Sequence, residues 1–265
     1  MIAIKDFSDI KYQVAEGVAT ITINRPDRYN ALRGRTVDEL LAAFKSAWVD
    51  SKVGAVILTG AGEKAFCTGG DQKERAEKGN YGETETGMFE IESLHKMIRA
   101  IPKPVIAAVN GFAIGGGHVL HVLADLSIAA EGARFGQVGP RVGSFDARFG
   151  SAYLARVVGE KRAREIWFLC EQYDAATAER WGLVNKVVPA DQLMASAMEW
   201  AKKVVALSPT AIKALKHSFN ADSDHIVGIQ SLAFDVLDLY TDTDESKEGG
   251  RAFAEKRPPD FSPYR

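Results

Sequence analysis

The chain has 265 residues, 46% of them hydrophobic, which is enough for one large α/β domain or a core with a smaller appendage. Its 33 basic and 35 acidic residues give a formal net charge of −2, so no overall charge attracts nucleic acid or an anionic membrane. Any anionic ligand must therefore be bound by a local group of residues.

The cysteines and the N-terminal segment bear on the cellular compartment. The two cysteines, Cys67 and Cys170, lie far apart without CxxC spacing, which favours reduced thiols over a disulfide framework or a zinc site. Asp6 precedes any apolar stretch, and no apolar run reaches the roughly 18 residues of a membrane span. We therefore expect no secretory leader, no membrane segment and a cytoplasmic location.

The first predicted elements are a β-strand and an α-helix. Residues 18–23 alternate β-branched and small side chains and end at a turn before Pro26. Thr36 followed by Glu39 predicts a capping box at the start of a helix. The apolar face of this helix comprises, at helical spacing, Leu40, Leu41, Phe44 and Trp48.

The strand-then-helix order recurs along the chain. Apolar runs predict strands at 53–58, 105–109, 126–130 and 183–188, and a helix is predicted at 90–101. Continuous apolar runs are typical of a sheet covered on both faces, so the predicted fold class is α/β.

From about residue 195 only helical patterns remain. We predict a core of residues 1–194 and a helical region of residues 195–265. Such a region could be a packing cap or an oligomerisation arm, and the sequence alone does not separate these alternatives.

Two glycine-rich segments follow predicted strands. The first, residues 66–72, contains Gly69 and Gly70, and the second, residues 111–118, contains three successive glycines from Gly115. Glycine leaves backbone N–H groups unobstructed, and a helix start adds partial positive charge, which suits an anion or a developing oxyanion. Two such N–H groups on one carbonyl oxygen would form an oxyanion hole.

The residues of these segments bear on two further interpretations. Either glycine loop alone is also typical of an ordinary turn or of tight helix–strand packing. Nucleotide binding is disfavoured, because residues 60–62 lack the third glycine of a dinucleotide fingerprint and no GxxxxGK[ST] sequence occurs. His118 and His121 have metal-like spacing without an evident third ligand, so no metal is expected.

Together with residues 23–26 and 30–32, the two glycine loops resemble the crotonase (enoyl-CoA hydratase/isomerase) superfamily over nearly the whole chain. The resemblance implies a crotonase-type spiral of ββα repeats and a C-terminal helical region that helps build a homotrimer or homohexamer. It also implies an acyl-CoA substrate, with coenzyme A as part of it, whose thioester oxygen lies between the N–H groups of Gly70 and Gly116.

The chain departs from the hydratases of that superfamily at two positions. The two catalytic glutamates of those enzymes correspond to Val119 and Gly139 here. Neither residue can exchange a proton, so addition of water to an enoyl double bond would lack its general acid and its general base. We therefore expect an activity other than simple hydration.

A narrower resemblance, over residues 135–146 and 163–167, is to the 1,4-dihydroxy-2-naphthoyl-CoA synthase branch. The same branch contains 2-ketocyclohexanecarboxyl-CoA hydrolase, and residues 242–246 are more like that enzyme. The synthases use a C-terminal tyrosine from a neighbouring subunit where this chain has Thr241, one residue after Tyr240.

The branch resemblance also implies substrate-binding positions. Together with positions in the glycine loops, they are Thr68, Gly69, Asp71, Gln72, Lys73, Arg75, Tyr81, Ile114, Gly115 and Lys256. For Lys256, a solvated charge in the C-terminal tail is the alternative. Tyr29 stands where some synthases have an arginine near the coenzyme A phosphates, and Arg28 or Arg33 could substitute. Residues 74–87 are expected to form a loop that orders on ligand binding.

Bicarbonate acts as the base in some synthases, near residues that match Gln137, Gly139 and Trp167 here. Gly139 would leave a small void that an anion of carboxylate shape could fill. Trp167 would by default be a core residue, and Val138 removes the hydroxyl contact that a threonine provides in some members. Bicarbonate use is therefore a hypothesis.

Ser144 and Asp146 are spaced so that, in an extended segment, both side chains point to the same side. We predict that Asp146 accepts or relays a proton at the substrate's second carbonyl while Ser144 hydrogen-bonds that carbonyl. The alternative is a turn stabilised by the Ser-x-Asp pair.

The function that the resemblance favours is a carbon–carbon lyase or synthase reaction. It is the intramolecular Claisen (Dieckmann) ring closure of o-succinylbenzoyl-CoA or a similar thioester. The second candidate function is hydrolytic ring opening of a cyclic β-keto acyl-CoA. The third is a non-catalytic acyl-CoA-binding module, which is disfavoured because both glycine loops, Ser144 and Asp146 are retained.

Overall fold

The structure is a computed structural model that describes residues 2–265, apart from the side chains of residues 227, 230 and 231. Within that range the ten strands are, in chain order, β1 (Ile10–Ala15), β2 (Val18–Ile23), β3 (Ala55–Gly60), β4 (Ala65–Cys67), β5 (Val105–Val109), β6 (Phe112–Ile114), β7 (Leu126–Ala130), β8 (Arg134–Gly136), β9 (Gln172–Asp174) and β10 (Lys186–Val188). The eleven α-helices of the same range are α1 (Gly34–Val49), α2 (Gln72–Lys78), α3 (Ile91–Ala100), α4 (Gly116–Leu123), α5 (Leu154–Val158), α6 (Glu160–Leu169), α7 (Ala175–Arg180), α8 (Leu193–Val205), α9 (Pro209–Ala221), α10 (Asp224–Thr241) and α11 (Asp244–Ala254).

Two sheets organise the fold. The large sheet has the order β1-β2-β3-β5-β7-β10, and the small sheet has the order β4-β6-β8-β9. From β2 onward the large sheet is parallel, and β4, β6 and β8 are also parallel to one another. The pairs β3–β4, β5–β6 and β7–β8 each give one strand to each sheet before the chain continues into a helix. This is the predicted α/β spiral of ββα repeats.

Buried apolar side chains cover both faces of the large sheet. On one face they pack with Phe44 of α1 and Leu120 of α4. On the other face Ile57 and Ile106 pack with Ala197 of α8. Burial on both faces explains why the strand sequences are continuous apolar runs rather than alternating ones.

The start of α1 differs from the prediction. Its N-cap is Arg33, whose backbone N–H donates to Thr36 Oγ1 at 3.3 Å. Glu39 is fully buried and accepts the N–H groups of residues 8–10 at 2.9, 2.8 and 3.1 Å. Glu39 therefore fixes the chain as it enters β1 and does not complete a capping box with Thr36.

The structure also differs from the prediction at the C-terminal boundary and at one predicted loop. The predicted boundary at residue 195 falls inside α8, and Leu193 and Ala197 of that helix belong to the core beneath the large sheet. Residues 74–78 are helical, because Asp71 caps α2 and Gly79, with φ of 75°, ends it. Among the helices of residues 2–265, none combines the length and the apolar composition needed to cross a membrane.

Candidate active site

The two glycine loops meet at one edge of the small sheet. They follow β4 and β6, which are adjacent and parallel, so both segments leave the sheet on the same side. A Cβ atom added to Gly69 would lie 2.7 Å from the Gly116 nitrogen, and one added to Gly117 would overlap the Cys67 carbonyl oxygen. Glycine is required here because the two backbones are in contact.

Gly70 and Gly116 each present an N–H group that has no acceptor among residues 2–265. The first loop is fixed around Gly70, because Leu32 donates to the Gly69 carbonyl at 2.7 Å and Asp71 donates to the Leu32 carbonyl at 2.8 Å. Gly116 is the first residue of α4, where an intrahelical acceptor is missing. The Gly70 nitrogen lies 3.9 Å from the Cβ position of Gly116, so one accepting oxygen suits both donors.

Tyr81 covers the first of these loops. A Cβ atom at Gly70 would lie 2.5 Å from the Tyr81 ring. The ring stacks on Phe89 with 4.6 Å between centroids, and the Arg75 guanidinium lies 5.9 Å from the Tyr81 ring centre. Tyr81 and Arg75, both predicted to bind substrate, therefore border the glycine loop.

Asp71 is hydrogen-bonded by groups of the protein itself. It is 3% exposed, accepts the Glu74 N–H at 3.1 Å and accepts Arg25 Nη2 at 2.8 Å. Burial opposes the charge on Asp71, but these hydrogen bonds and the charge of Arg25 outweigh it and hold the pKa of Asp71 below its usual value. These contacts fix the backbone directly after Gly70, and the substrate contact of Asp71 stays a prediction.

The arginines proposed near the coenzyme A phosphates are not equivalent. Arg33 donates to both carboxylate oxygens of the buried Asp9, each at 2.7 Å. A bidentate ion pair of this kind gives the Arg33 guanidinium a structural role rather than a contact with coenzyme A. Of the two predicted substitutes, only the exposed Arg28 remains.

Asp146 lies before the π-helical turn Phe149–Tyr153. Its Oδ1 accepts the N–H groups of Arg148 at 3.1 Å and Gly150 at 2.9 Å, and its Oδ2 accepts Arg148 Nε at 3.3 Å. A Cβ atom added to Gly150 would lie 2.9 Å from Asp146 Cβ and 3.0 Å from Val119 Cγ2. Asp146 and Val119, which is on the helix that begins at Gly116, therefore lie on either side of Gly150.

Ser144 and Asp146 share one irregular segment and are both half-buried. Among the described side chains, no hydrogen bond joins the two. The Ser144 N–H donates to the Gly139 carbonyl at 2.8 Å. The joint action predicted for this pair therefore depends on a ligand that contacts both.

The C-terminal region of the same chain reaches this segment. The Tyr240 ring packs on Phe145 with 5.6 Å between centroids, and burial raises the pKa of Tyr240. Ser246 Oγ donates to the Gly143 carbonyl at 2.6 Å. The Thr241 hydroxyl donates back to a carbonyl of its own helix. Tyr240, rather than the residue at position 241, thus lies against the segment that carries Asp146.

Two of the residues predicted to hold bicarbonate are already paired. The Trp167 indole N–H donates to the Gly150 carbonyl. The Gln137 amide nitrogen lies 3.4 Å from the Gly115 carbonyl oxygen and 3.2 Å from His118 Nδ1. Gln137 is 1% exposed, so an additional anion has little access to it.

The space beside Gly139 is filled as well. A Cβ atom there would lie 2.6 Å from the Ser144 carbonyl oxygen and 2.9 Å from the Trp167 ring. The void expected at this position does not exist, and a carbonyl oxygen next to an anion is repulsive. The residues predicted for bicarbonate therefore do not fit it, which corrects that hypothesis.

Three further predicted substrate residues lie along the first loop and the start of α2. Thr68 Oγ1 donates to the Tyr29 carbonyl at 3.2 Å, and Gln72 Nε2 donates to the Gly70 carbonyl at 3.3 Å. Lys73 is exposed. Both Thr68 and Gln72 thus support the loop backbone.

The remaining predicted positions lie in two places. Ile114 ends β6, and Gly115 follows it with φ of 57°, which turns the chain into α4. Lys256 lines a cavity of about 490 Å³ with Arg141, Phe253 and neighbouring C-terminal residues. The lining of that cavity contains no residue of the glycine loops.

Sequence analysis missed Arg25, Arg148 and Gly150. Arg148 is 5% exposed and pairs with Asp146. Their pairing could have been predicted from the sequence, because Asp146 and Arg148 are the only charged residues within positions 142–155. Arg25 and Gly150 gave no comparable signal, because their partners lie far away in the chain or are backbone atoms.

Three histidines are buried near the site. Burial lowers the pKa of His118 to about 4 and holds the pKa values of His95 and His121 well below 6.5. Within residues 2–265 there is no group of three or more His, Cys, Asp or Glu side chains placed to hold a metal ion.

Comparison with known proteins decides the family. Residues 13–263 match the family model described as enoyl-CoA hydratase/isomerase, which is nearly the whole chain. The chain belongs to this family. It is therefore a crotonase-superfamily protein, and its fold is that of this family of acyl-CoA enzymes.

Similar solved structures include family members from several bacteria. An enoyl-CoA hydratase from Mycobacterium avium subsp. paratuberculosis is 29% identical with a TM-score of 0.84, over 96% of this chain and 99% of that chain. A carnitinyl-CoA hydratase from Mycobacterium avium is 33% identical with a TM-score of 0.83, over 96% and 98%. An enoyl-CoA hydratase/isomerase from Pseudoalteromonas atlantica T6c is 27% identical with a TM-score of 0.86, over 96% and 100%. These relatives support the superfamily and do not point to the naphthoyl-CoA synthase branch.

Proposed function

We propose that the chain binds an acyl-CoA thioester with its carbonyl oxygen between the N–H groups of Gly70 and Gly116. Both N–H groups are unpaired and their loops are in contact, which supports this role. A preorganised donor of this kind stabilises an enolate or oxyanion by about 3 kcal/mol. The α-carbon of the acyl group then becomes acidic enough to react.

The position of Asp146 supports a reaction other than hydration. Hydratases of the family place glutamates at positions 119 and 139, and this chain has valine and glycine there. Asp146 lies across Gly150 from Val119 and so offers a carboxylate from a different segment. A carboxylate displaced in this way favours proton transfer at another part of the acyl group over addition of water to an enoyl double bond.

The reaction we favour is ring closure of o-succinylbenzoyl-CoA or a similar thioester. The α-carbon loses a proton, the resulting carbanion bonds to the carboxyl carbon, and one carboxyl oxygen leaves as water. Asp146 would exchange the proton at that second carbonyl, with Ser144 as its hydrogen-bonding neighbour. The resemblance of residues 135–146 and 163–167 to the synthase branch supports this choice.

A second candidate is hydrolytic ring opening of a cyclic β-keto acyl-CoA. It is favoured by residues 242–246, which resemble the hydrolase and whose Ser246 is hydrogen-bonded to Gly143, three residues before Asp146. Water then attacks the ring ketone, and the bond to the α-carbon breaks. The same oxyanion hole would stabilise the leaving carbanion.

Mass spectrometry of products separates these reactions. The protein is incubated with o-succinylbenzoyl-CoA, 2-ketocyclohexanecarboxyl-CoA and crotonyl-CoA in separate reactions. Loss of water from the first is the expected result, and gain of water by the second supports the alternative. Hydration of crotonyl-CoA alone would contradict both, and no reaction in any sample would favour a binding module.

We also propose that α9 and α10 form the subunit contacts of a homotrimer or homohexamer. These helices expose a set of apolar side chains, namely Leu215, Phe219, Ile229, Leu232, Val236 and Leu239, at 41–78% exposure. The four on α10 follow helical spacing and form one stripe. An exposed apolar stripe of this length is typical of a protein–protein contact.

A further inference from the structure

The ion pair of Asp146 and Arg148 is buried beside the proposed acyl site, and the proposed reaction assigns no role to Arg148. The guanidinium lies 3.5 Å from the centre of the Phe234 ring on α10, and its Nη1 has no hydrogen-bond partner among the described residues. An incompletely paired cation inside a protein opposes folding. Such groups concentrate at functional sites.

The two oxygens of the Asp146 carboxylate have different surroundings. Oδ1 accepts two backbone N–H groups, at 2.9 and 3.1 Å, so its lone pairs are occupied. Oδ2 accepts a single, longer bond of 3.3 Å from Arg148 Nε. The side chains of Asp146 and Arg148 are 14% and 6% exposed, so water supplies little more. Oδ2 is thus the oxygen with a lone pair left for a ligand.

We propose that Arg148 is a positioning residue that holds Asp146 so that Oδ2 exchanges the proton with the acyl group. The inference rests on the proposed role of Asp146. Two backbone donors fix one oxygen, and the guanidinium fixes the rotation of the other. A carboxylate held in one orientation reacts faster than a freely rotating one because less motion must be arrested at the moment of transfer.

The groups around Arg148 hold its guanidinium next to Asp146. Phe234 covers one face of the guanidinium. Burial lowers the pKa of Arg148, although the negative charges of Asp146 and of Glu92 on α3 oppose that effect. His95, also on α3, is buried, and burial together with the charge of Arg148 lowers the pKa of His95. His95 is therefore neutral beside the pair.

A double-mutant cycle on kcat tests this role. The four proteins are wild type, Arg148→Met, Asp146→Asn and the double variant, assayed on the thioester that the wild type converts. Arg148→Met is expected to lower kcat about tenfold with KM changed less than about twofold. In the Asp146→Asn background the same change should lower kcat no further, and Arg148→Lys should recover part of the loss.

Arg164→Met, which removes an exposed arginine paired with Glu160, is the matched control and should leave kcat unchanged. Equal loss of kcat from Arg148→Met in both backgrounds would mean a merely structural role and overturn the proposal. If the wild type converts no thioester, the proposed function fails. The same four proteins are then compared by urea unfolding, where non-additive losses support the positioning contact and additive losses overturn it.

Discussion

Gly150 lies between the side chains of Asp146 and Val119, and the position of the carboxylate depends on it. Its N–H donates to Asp146 Oδ1 at 2.9 Å, and its carbonyl accepts the Trp167 indole N–H. An added methyl group would overlap Asp146 and must displace it.

Gly150→Ala is therefore expected to lower turnover by about 10- to 100-fold, because a small displacement of a reacting group has effects of this size. Turnover is measured on the thioester that the wild type converts. Gly250→Ala is the control, since no atom lies within 4 Å of its Cβ position. Wild-type turnover in Gly150→Ala would show that the position of Asp146 is unimportant.

At this scale the sequence located the glycine loops but not the partners of the polar residues. The loops were recognisable because glycine repeats after apolar strands. Asp71 and Gln137 were assigned to ligands, whereas Asp71 is paired with Arg25, 46 positions away, and Gln137 with His118. Such pairs form only when distant segments meet, and no local pattern encodes them.

At the scale of elements, Lys216 connects α9 to the end of α3 and to the loops before β5 and β7. It is 5% exposed and donates to the carbonyls of Ile98 and Lys103, each at 3.1 Å, and to Asp125 Oδ2 at 2.7 Å. Burial lowers the pKa of Lys216, although the charge of Asp125 opposes that effect. The helical region is thereby tied to segments that precede β5 and β7.

Lys216→Met is expected to lower the free energy of unfolding by about 3 kcal/mol, because it removes the charged partner of Asp125 and the donor to two carbonyls. Urea denaturation measures the loss. Lys202→Met removes a surface pair with Glu16 and should change stability by less than about 1 kcal/mol. Equal effects of the two changes would be evidence against the buried anchor.

Two element predictions were wrong because the same local sequence pattern occurs in more than one kind of structure. A Thr-x-x-Glu sequence is typical of a capping box, yet here Glu39 accepts N–H groups from residues 8–10. Residues 74–78 were predicted as loop because they are polar, whereas the Asp71 cap and the Gly79 end make them helical. Strands β5 and β7 were predicted at their observed bounds because burial on both faces leaves a continuous apolar run, whereas β1 and the short strands of the small sheet were not predicted.

At the scale of the whole molecule, three buried histidines make stability depend on pH. Because their folded-state pKa values are depressed, the unfolded chain binds protons first as the pH falls below 6.5. Stability is therefore full above pH 6.5 and is lost down to the folded pKa, about 4 for His118. At pH 5 the shift of His118 lowers the free energy of unfolding by about 2 kcal/mol, and His95 and His121 act in the same direction.

Urea denaturation between pH 7.5 and 5.0 checks this expectation. His121→Leu should flatten the dependence by removing one such group, whose two ring nitrogens have no partner among the described residues. His217→Gln, at an exposed position, is the control. A pH dependence that is the same in His121→Leu and wild type would contradict the assignment.

The exposed stripe of α10 predicts assembly. Leu232 is 64% exposed, and Leu232→Glu should lower the mass measured by light scattering from a multiple of the 28.8 kDa chain toward the monomer. Val49→Glu, at an 81% exposed residue of α1, is the control for surface charge. A wild type that is already monomeric would refute the proposed contact.

The proposed activity depends most on Asp146 as the proton-exchanging carboxylate of a site that lacks the hydratase glutamates. The most direct test is single-turnover kinetics of Asp146→Asn, with acyl-CoA binding measured in parallel. We predict a rate at least about 100-fold below wild type with unchanged affinity, because acid–base groups contribute 10²–10⁴-fold. A variant that retains more than about a tenth of the wild-type rate would contradict the central role of this residue.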